Sequence, residues 1–413
     1  MMKNKYTIYI LLLIITTLAG MWGLPALVKK ITYSPEKYPF VYYSSMLEKL
    51  CFIDYKNKEF PMTDVEGNVY NTAQFDSLMP MLNYRQLMAD GLLPDTIKGH
   101  AVTPQLLRVK SVVYKYNPRD FDSPNLGLNV LFEAMPTRVG LKQPDDVFRI
   151  KNNIEFIDAE TNSVNIEKSE RFQNELLKRG YQFPTKWAVG NPNVRKPYDE
   201  GYFCFDNNGD LYHIKMVNNR PFVRNTKLSD NINIAEFAIH EVSDKRYYGY
   251  LFSKEGDVYI VEGVEGGYNP VKLDIPQLDL KKDEFSIMGN LFYWNIAVTN
   301  EEGRSYYVLD ASDLKCVDKH YIASSGSKWD VVSKWMFPYY LTFQSSHSNY
   351  VKPYFHCNGW YGFVFNFVLA VLTFAFVVNT KERKLFNATF ILLTGIAGLL
   401  ALLLLPDYRR KIN

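Results

Sequence analysis

The tetrapeptide Gly209-Asp210-Leu211-Tyr212 recurs as Gly256-Asp257-Val258-Tyr259 and again as Gly303-Arg304-Ser305-Tyr306. The tyrosines of successive copies are 47 residues apart, and an apolar stretch precedes each copy, at 201–205, 248–252 and 293–298. Glycine supplies the positive φ that a tight hairpin turn needs, and apolar runs on either side of such a turn are typical of paired strands. These residues therefore predict three antiparallel hairpins at a fixed period.

A period near 47 residues with about four strands per copy is typical of a propeller blade. One four-stranded sheet cannot bury both of its faces, so such copies stack on one another. The alternative is a meander of hairpins whose period is accidental. We favour a propeller-like region at 196–355, and the number of repeats and their closure stay open. The predicted fold class is membrane-anchored and mainly β, with a mixed α/β N-terminal part.

The mixed α+β extracytoplasmic region is expected at 29–195. A strand is predicted at 50–55, followed by a helix at 72–90 with Thr72 as its N-cap. A second strand is expected at 155–158, and a second helix at 169–179.

Three long uncharged segments lie at the ends of the chain, at 6–28, 360–378 and 385–405. Each is long enough to cross a bilayer, and the last two would form a helical hairpin. The first could instead be a signal peptide, but its apolar run is long and no small-residue cleavage site closes it. The sequence thus predicts one N-terminal and two C-terminal transmembrane helices.

The charges suggest an orientation but do not settle it. The chain carries a net charge of +3, which argues against a nucleic-acid partner, and the span 29–359 carries 39 basic and 42 acidic residues. If the N-terminus is inside and all three segments cross, five basic residues near the membrane are cytoplasmic and seven are outside, against the usual bias. Because the first segment usually dominates, we expect a cytoplasmic N-terminus, a periplasmic domain and an outside C-tail.

Motifs that would indicate catalysis are missing from the sequence. It contains no P-loop, G-x-G-x-x-G, H-E-x-x-H, G-x-S-x-G or C-x-x-C pattern, so ATP hydrolysis by this chain is not expected. The histidines are scattered, so neither a metal nor another cofactor is predicted. The four cysteines form no disulfide framework and are expected to be buried free thiols; the alternative is a disulfide between Cys51 and Cys357, which both lie close in sequence to an anchor.

Two acidic pairs are the candidate polar surface. Asp145 and Asp146 form one pair, and Asp199 and Glu200 follow Arg195 in the other. Paired carboxylates can act as acid and base in a glycosidase, whereas ion pairs with the neighbouring basic residues would make them structural. The structural interpretation is favoured.

Small residues follow one face of each C-terminal segment. Such faces let helix backbones approach closely, either within the hairpin or against a membrane partner. The residues are Gly362, Asn366 and Ala370 in one segment, and Thr394, Ala397, Gly398 and Ala401 in the other.

Several stretches resemble one family of bacterial membrane proteins, namely 83–87, 91–95, 138–141, 155–162 and 195–202. It is an uncharacterised, DUF-type family of Bacteroides-like bacteria whose members are often encoded beside ABC-transporter genes. The resemblance implies a domain anchored in the inner membrane and facing the periplasm, which assists a transporter permease and ATPase. We therefore expect a non-enzymatic accessory or sensing subunit. The alternative is a membrane-tethered binder or hydrolase of cell-envelope glycans.

Overall fold

The computed structural model describes residues 2–59, 61–376 and 381–405, with the side chains of 2–6 and 382 left out. The chain divides into two compact units. Unit 1 comprises Met1–Lys37, Arg119–Ser123 and Ser324–Asn413, and unit 2 comprises Tyr38–Pro118 and Pro124–Ala323.

Helices occur in both units. In chain order they are α1 (Met2–Thr32), α2 (Thr72–Leu78), α3 (Pro80–Ala89), α4 (Pro104–Lys110), α5 (Pro118–Phe121), α6 (Ile166–Lys178), α7 (Lys328–Met336), α8 (Tyr361–Phe376) and α9 (Lys381–Leu404).

Strands are the main regular structure of unit 2, and the last two described strands lie in unit 1. In chain order they are β1 (Phe40–Ser44), β2 (Lys49–Ile53), β3 (Met62–Asp64), β4 (Val69–Tyr70), β5 (Thr96–Ile97), β6 (His100–Ala101), β7 (Val112–Tyr116), β8 (Asp146–Ile150), β9 (Ile154–Asp158), β10 (Val164–Asn165), β11 (Trp187–Gly190), β12 (Tyr202–Phe205), β13 (Leu211–Val217), β14 (Arg220–Asn225), β15 (Ile234–Ile239), β16 (Tyr247–Ser253), β17 (Val258–Val264), β18 (Gly267–Lys272), β19 (Glu284–Gly289), β20 (Tyr293–Thr299), β21 (Gly303–Asp310), β22 (Cys316–Ala323), β23 (Tyr339–Thr342) and β24 (Tyr354–Cys357).

The three predicted hairpins are the centres of three successive antiparallel meanders. These sheets are β11–β14, β15–β18 and β19–β22, and β7 joins the last one beside β19. Tyr212, Tyr259 and Tyr306 each lie on the third strand of their sheet. The period therefore reflects one four-stranded unit per copy, as the sequence predicts.

The turns differ in one respect from the prediction. Gly209 and Gly256 have φ of 96° and 94°, as a hairpin glycine should, whereas Gly303 is not among the positive-φ residues. Its backbone N–H instead donates to the side chain of Asn300. Glycine is needed here for space, because a Cβ on Gly303 would lie 2.4 Å from the carbonyl oxygen of Ile322.

The sheets of unit 2 pack face to face in a row. The β8–β10 sheet and α6 share a core with β11–β14, which packs in turn on β15–β18 around Phe203 and Phe237. Tyr116 and Phe252 bring the third repeat against the second, and the β1–β4 sheet covers the other face of the third repeat. Among the described residues the sheets close neither a barrel nor a propeller, so the propeller-like prediction is supported only as an antiparallel, mainly β fold.

The predicted helix at 72–90 is two helices. Its N-cap is Asn71, whose side chain accepts from the N–H of Gln74, and not Thr72. The break falls at Met79, which has φ −119° and ψ 51°. Pro80 explains it, because proline lacks an N–H and disfavours helical backbone in the residue before it.

Unit 1 contains the apolar segments. Thr7–Thr32 and Arg383–Leu404 are long and apolar enough to cross a membrane, by length and composition alone, and Tyr361–Phe376 is apolar but shorter. Residues 377 and 378 of the predicted middle segment lie outside the described residues. The last part of the predicted propeller-like region, 324–355, forms α7 and β23, and β23 pairs with β24 in a small two-stranded sheet.

Candidate functional site

The predicted acidic pairs bind different lysines. The Asp146 carboxylate accepts from Lys168 Nζ at 2.9 and 2.6 Å, within the β8–β10 sheet and α6. Asp145 is exposed, and its carbonyl oxygen accepts from the N–H of Ala159. Among the described residues, no ion pair connects Asp145 or Asp146 with Asp199.

Asp199 belongs to a buried ion cluster that also contains Lys196 and Glu241. Lys196 Nζ donates to Asp199 Oδ1 and, at 2.8 Å, to Glu241 Oε1. The side chains of all three are at most 2% exposed. Lys196 and Asp199 lie in the loop between β11 and β12, and Glu241 follows β15. The cluster therefore links two neighbouring repeats.

The remaining oxygens of the cluster also have donors. The N–H of Glu200 donates to Glu241 Oε1 at 2.7 Å, Asn191 Nδ2 donates to Glu241 Oε2 at 2.9 Å, and the N–H of Gly201 donates to Asp199 Oδ2 at 3.0 Å. Burial raises the pKa of both carboxyls, and the ammonium of Lys196 opposes that rise. A fully bonded carboxylate at such a place holds the chain together and offers no open site to a substrate.

Glu200 and Arg195 lie around this cluster. Lys215 Nζ donates to Glu200 Oε2 at 2.7 Å. The Glu200 carbonyl oxygen lies 2.6 Å from Nε2 of His213, whose Nδ1 lies 2.7 Å from the Tyr268 hydroxyl. A carbonyl only accepts, so Nε2 carries the proton and Tyr268 donates to Nδ1. The Arg195 side chain is exposed, and the backbone N–H of Arg195 donates to Asn193 Oδ1.

A cavity of about 90 Å³ lies between the β1–β4 sheet and the third repeat. Ala297 pairs with Tyr306, and Ser286 pairs with Ala297, so these side chains share one face of the sheet. Arg304 lies two residues before Tyr306, on the same face. The residues of the wall are Pro39, Phe40, Val41, Leu50, Ser286, Met288, Asn295, Ile296, Ala297, Arg304, Tyr306, Tyr307 and Val308.

The polar groups of the cavity are held in place by the surrounding backbone. Asn295 Oδ1 accepts from the N–H of Tyr43 at 2.7 Å, and the Tyr306 hydroxyl donates to the carbonyl oxygen of Pro39 at 3.1 Å. Arg304 Nε donates to Thr299 Oγ1 at 2.7 Å, and its guanidinium lies 5.1 Å from the centre of the Tyr38 ring. Burial raises the pKa of Tyr306, which keeps its hydroxyl neutral.

This cavity was not predicted from the sequence, although the repeat contains a signal for it. The third copy has Arg304 where the other two have Asp210 and Asp257. When one copy of a repeat has a different residue at a position that the other copies share, the side chain at that position has different neighbours in that copy. The described wall contains a guanidinium, hydroxyls and an amide, which are groups that bind small polar or anionic ligands.

A family model for a domain of unknown function, DUF4857, matches residues 40–309. The chain belongs to the DUF4857 family. The match confirms the expected uncharacterised family and says nothing of host or gene neighbours. The DUF4857 region starts at β1 and ends within β21, so it contains the ion cluster and nearly the whole cavity wall, and it excludes α1, α8 and α9. A comparison with proteins of curated function gives no match.

The structure places the small-residue faces within unit 1. A Cβ on Gly362 would lie 2.7 Å from Pro338 Cδ, and Asn366 Nδ2 donates to the carbonyl oxygen of Leu392. Ala370, Ala397, Gly398 and Ala401 are buried, and Thr394 is half-buried. All four cysteines, including Cys51 and Cys357, are free thiols.

Proposed function

We propose that this chain is a non-enzymatic accessory or sensing subunit of a bacterial membrane complex. In this proposal unit 2 binds a small polar ligand in the cavity beside Arg304. The observation that carries it is the composition of the described wall, which offers a cation, hydroxyls and an amide but no carboxylate, imidazole or thiol. Such a set can bind and orient a ligand, whereas a serine or tyrosine hydroxyl becomes a nucleophile only beside a general base, and the described wall has no carboxylate, imidazole or amine to serve as one.

An ABC transporter is the proposed partner. The chain has no ATP-binding motif, so energy for transport would come from separate ATPase and permease subunits. Apolar helices at both ends of the sequence support anchoring in the inner membrane. We propose that the N-terminus is cytoplasmic and that unit 2 is a periplasmic, propeller-like row of sheets.

The glycan-hydrolase alternative gains no support. It needs two carboxylates on opposite sides of one glycosidic bond. Asp146 is bound by Lys168, Asp199 by Lys196, and Glu200 by Lys215. These ion pairs favour structural roles for the acidic residues.

Purification of the tagged full-length chain in mild detergent tests the transporter proposal. Near-stoichiometric ATPase and permease subunits, identified by mass spectrometry, are the expected result. A preparation that contains this chain alone would contradict the assignment to a transporter.

Thermal shift of the same preparation tests the cavity. Inorganic phosphate and a set of two- to four-carbon carboxylates serve as probes, because they are small anions that suit a cavity of about 90 Å³ with an arginine in its wall. We expect at least one probe to raise the melting temperature of the wild type and not that of Arg304→Gln. Arg220→Gln, an exposed arginine outside the wall, is the matched control. Equal responses of all three proteins, or none, would contradict the cavity as a binding site.

A further inference from the structure

The last helix contains a sharp reversal at Gly395. Gly395 lies inside the helix Lys381–Leu404, but its φ of 63° and ψ of −145° are not helical values. A Cβ on Gly398 would lie 2.8 Å from Thr394 Cβ and 3.0 Å from Phe390 Cε1. In a straight helix, residues 390 and 398 are about 12 Å apart along the axis, and side chains lean toward the N-terminus. The part after Gly395 therefore folds back on the part before it.

The two halves of α9 have different neighbours. The first half runs antiparallel to α8, since Asn366 Nδ2 donates to the Leu392 carbonyl oxygen at 3.1 Å and Lys384 Nζ lies 5.9 Å from the Phe374 ring centre. The second half runs antiparallel to α1. There a Cβ on Gly20 would lie 3.1 Å from Ala397 Cβ, and the Tyr9 hydroxyl donates to the Leu405 carbonyl oxygen at 3.3 Å.

Asn366 explains why the reversal is stable in an apolar setting. A break in a helix frees backbone carbonyls, which need donors where water is absent. Asn366 is fully buried and supplies one such donor to Leu392. Gly395 is required because its φ is positive and because a Cβ there would lie 2.5 Å from Asn366 Oδ1.

Neither half is long enough to cross a membrane. Residues 381–394 extend about 21 Å and residues 396–404 about 13 Å, against a hydrocarbon core of about 30 Å. Arg383–Leu404 would be long enough to cross only if it were straight.

We propose that α9 is re-entrant: it enters the bilayer beside α8, reverses at Gly395 and returns beside α1 to the side of the N-terminus. Only α1 and the 19-residue uncharged segment 360–378, which contains α8, then cross, and the segment that follows Leu405 lies on the cytoplasmic side with the N-terminus. This topology puts the C-tail on the cytoplasmic side, whereas the sequence alone led us to expect it outside.

The charges agree with this topology. Arg409, Arg410 and Lys411 move to the cytoplasmic side, which then has eight basic residues near the membrane against four outside. The five-to-seven conflict of the all-spanning topology disappears, and the count follows the usual bias toward positive charge inside.

Reporter fusions to the full chain test the topology. Green fluorescent protein and alkaline phosphatase are fused in turn to each terminus in a Gram-negative host. We expect both termini to give fluorescence and no phosphatase activity. A membrane-impermeant maleimide then reports the side of the membrane on which unit 2 lies. Its target is Glu265→Cys in a Cys316→Ser/Cys357→Ser background, and we expect labelling in intact spheroplasts. Termini that report opposite sides would overturn the proposal.

Cysteine cross-linking gives a second measurement that does not depend on fusions. In the same background, Tyr9→Cys with Leu405→Cys should form a disulfide, detected as a linked peptide by mass spectrometry. Tyr9→Cys with Leu385→Cys is the matched pair, because a straight α9 that crosses in the same direction as α1 would bring residue 385 near residue 9. Linkage of the second pair and not the first would overturn the re-entrant α9.

Discussion

Lys196 is the residue on which the buried ion cluster depends. It faces two carboxylates, Asp199 and Glu241, at a place that excludes water. Breaking a buried pair by removing one partner leaves uncompensated charge, which costs about 3–5 kcal/mol. Replacing a carboxylate by its amide removes charge while it keeps most hydrogen bonds.

We therefore expect Lys196→Met to lower the free energy of unfolding by about 3–5 kcal/mol, and Glu241→Gln to lower it by much less. Lys215→Met, at a partly exposed pair with Glu200, is the control and should cost about 1 kcal/mol or less. Denaturant unfolding of the full chain in detergent measures all three. An equal loss for Lys196→Met and Lys215→Met would show that the cluster has no special role.

His213 gives the fold a predicted sensitivity to acid. Burial lowers its pKa to about 3, and the ring stacks on Phe203 at 4.4 Å. Between pH 6.5 and about 3 the unfolded chain binds a proton that the folded chain does not bind, so stability falls as the pH falls through this window. Glu236 acts in the opposite sense, because burial raises its pKa to about 7 and stability falls as the pH rises toward that value.

Comparison with His213→Gln isolates the histidine, since Glu236 is present in both proteins. We expect the melting temperature of the wild type to fall more steeply than that of the variant between pH 7 and pH 4.5. Circular dichroism or intrinsic fluorescence measures both curves. Parallel curves would show that His213 does not titrate on unfolding in this range.

At the scale of the element, the hairpin turns of the first two repeats look alike in sequence but differ in their surroundings. Gly209 and Gly256 both have φ near 95°. A Cβ on Gly209 would have no atom nearer than 3.8 Å, whereas a Cβ on Gly256 would lie 2.2 Å from the Leu278 carbonyl oxygen.

We expect Gly209→Ala to cost about 1 kcal/mol from backbone strain alone. Gly256→Ala should cost clearly more, because the backbone near Leu278 must also move. Thermal unfolding of the two variants beside the wild type measures the difference. A cost for Gly209→Ala equal to or above that for Gly256→Ala would contradict the close approach at Leu278.

The same comparison shows what a repeat in the sequence can predict. The turn and the strands on either side of it are local, so glycine and the apolar runs located them in all three copies. Contacts between copies are not local: Lys196 and Glu241 are 45 residues apart in the chain. Ion pairs with neighbouring basic residues were expected at 199–200, but nothing in that stretch indicated that Lys196 also binds Glu241.

At the scale of the whole molecule, the prediction concerns attachment to the membrane. A helix embedded in hydrocarbon resists alkaline carbonate, which removes proteins that are held at the surface by charge. We expect the full-length chain to stay in the membrane pellet after a carbonate wash. A known peripheral protein is the control, and its release together with this chain would contradict anchoring by α1 and α8.

The sequence by itself determined the features that depend on neighbouring residues. These are the three β hairpins with their 47-residue period, the apolar segments at both ends and membership of an uncharacterised family. Tertiary structure alone decided the rest. The cavity joins Arg304 to Pro39 and Phe40, which lie more than 260 residues earlier, and the direction of α9 depends on Asn366 reaching a carbonyl on another helix. Local patterns specify turns and strands because backbone conformation is a local property, whereas the partner of a buried charge and the path of a broken helix are set by groups that only folding brings together.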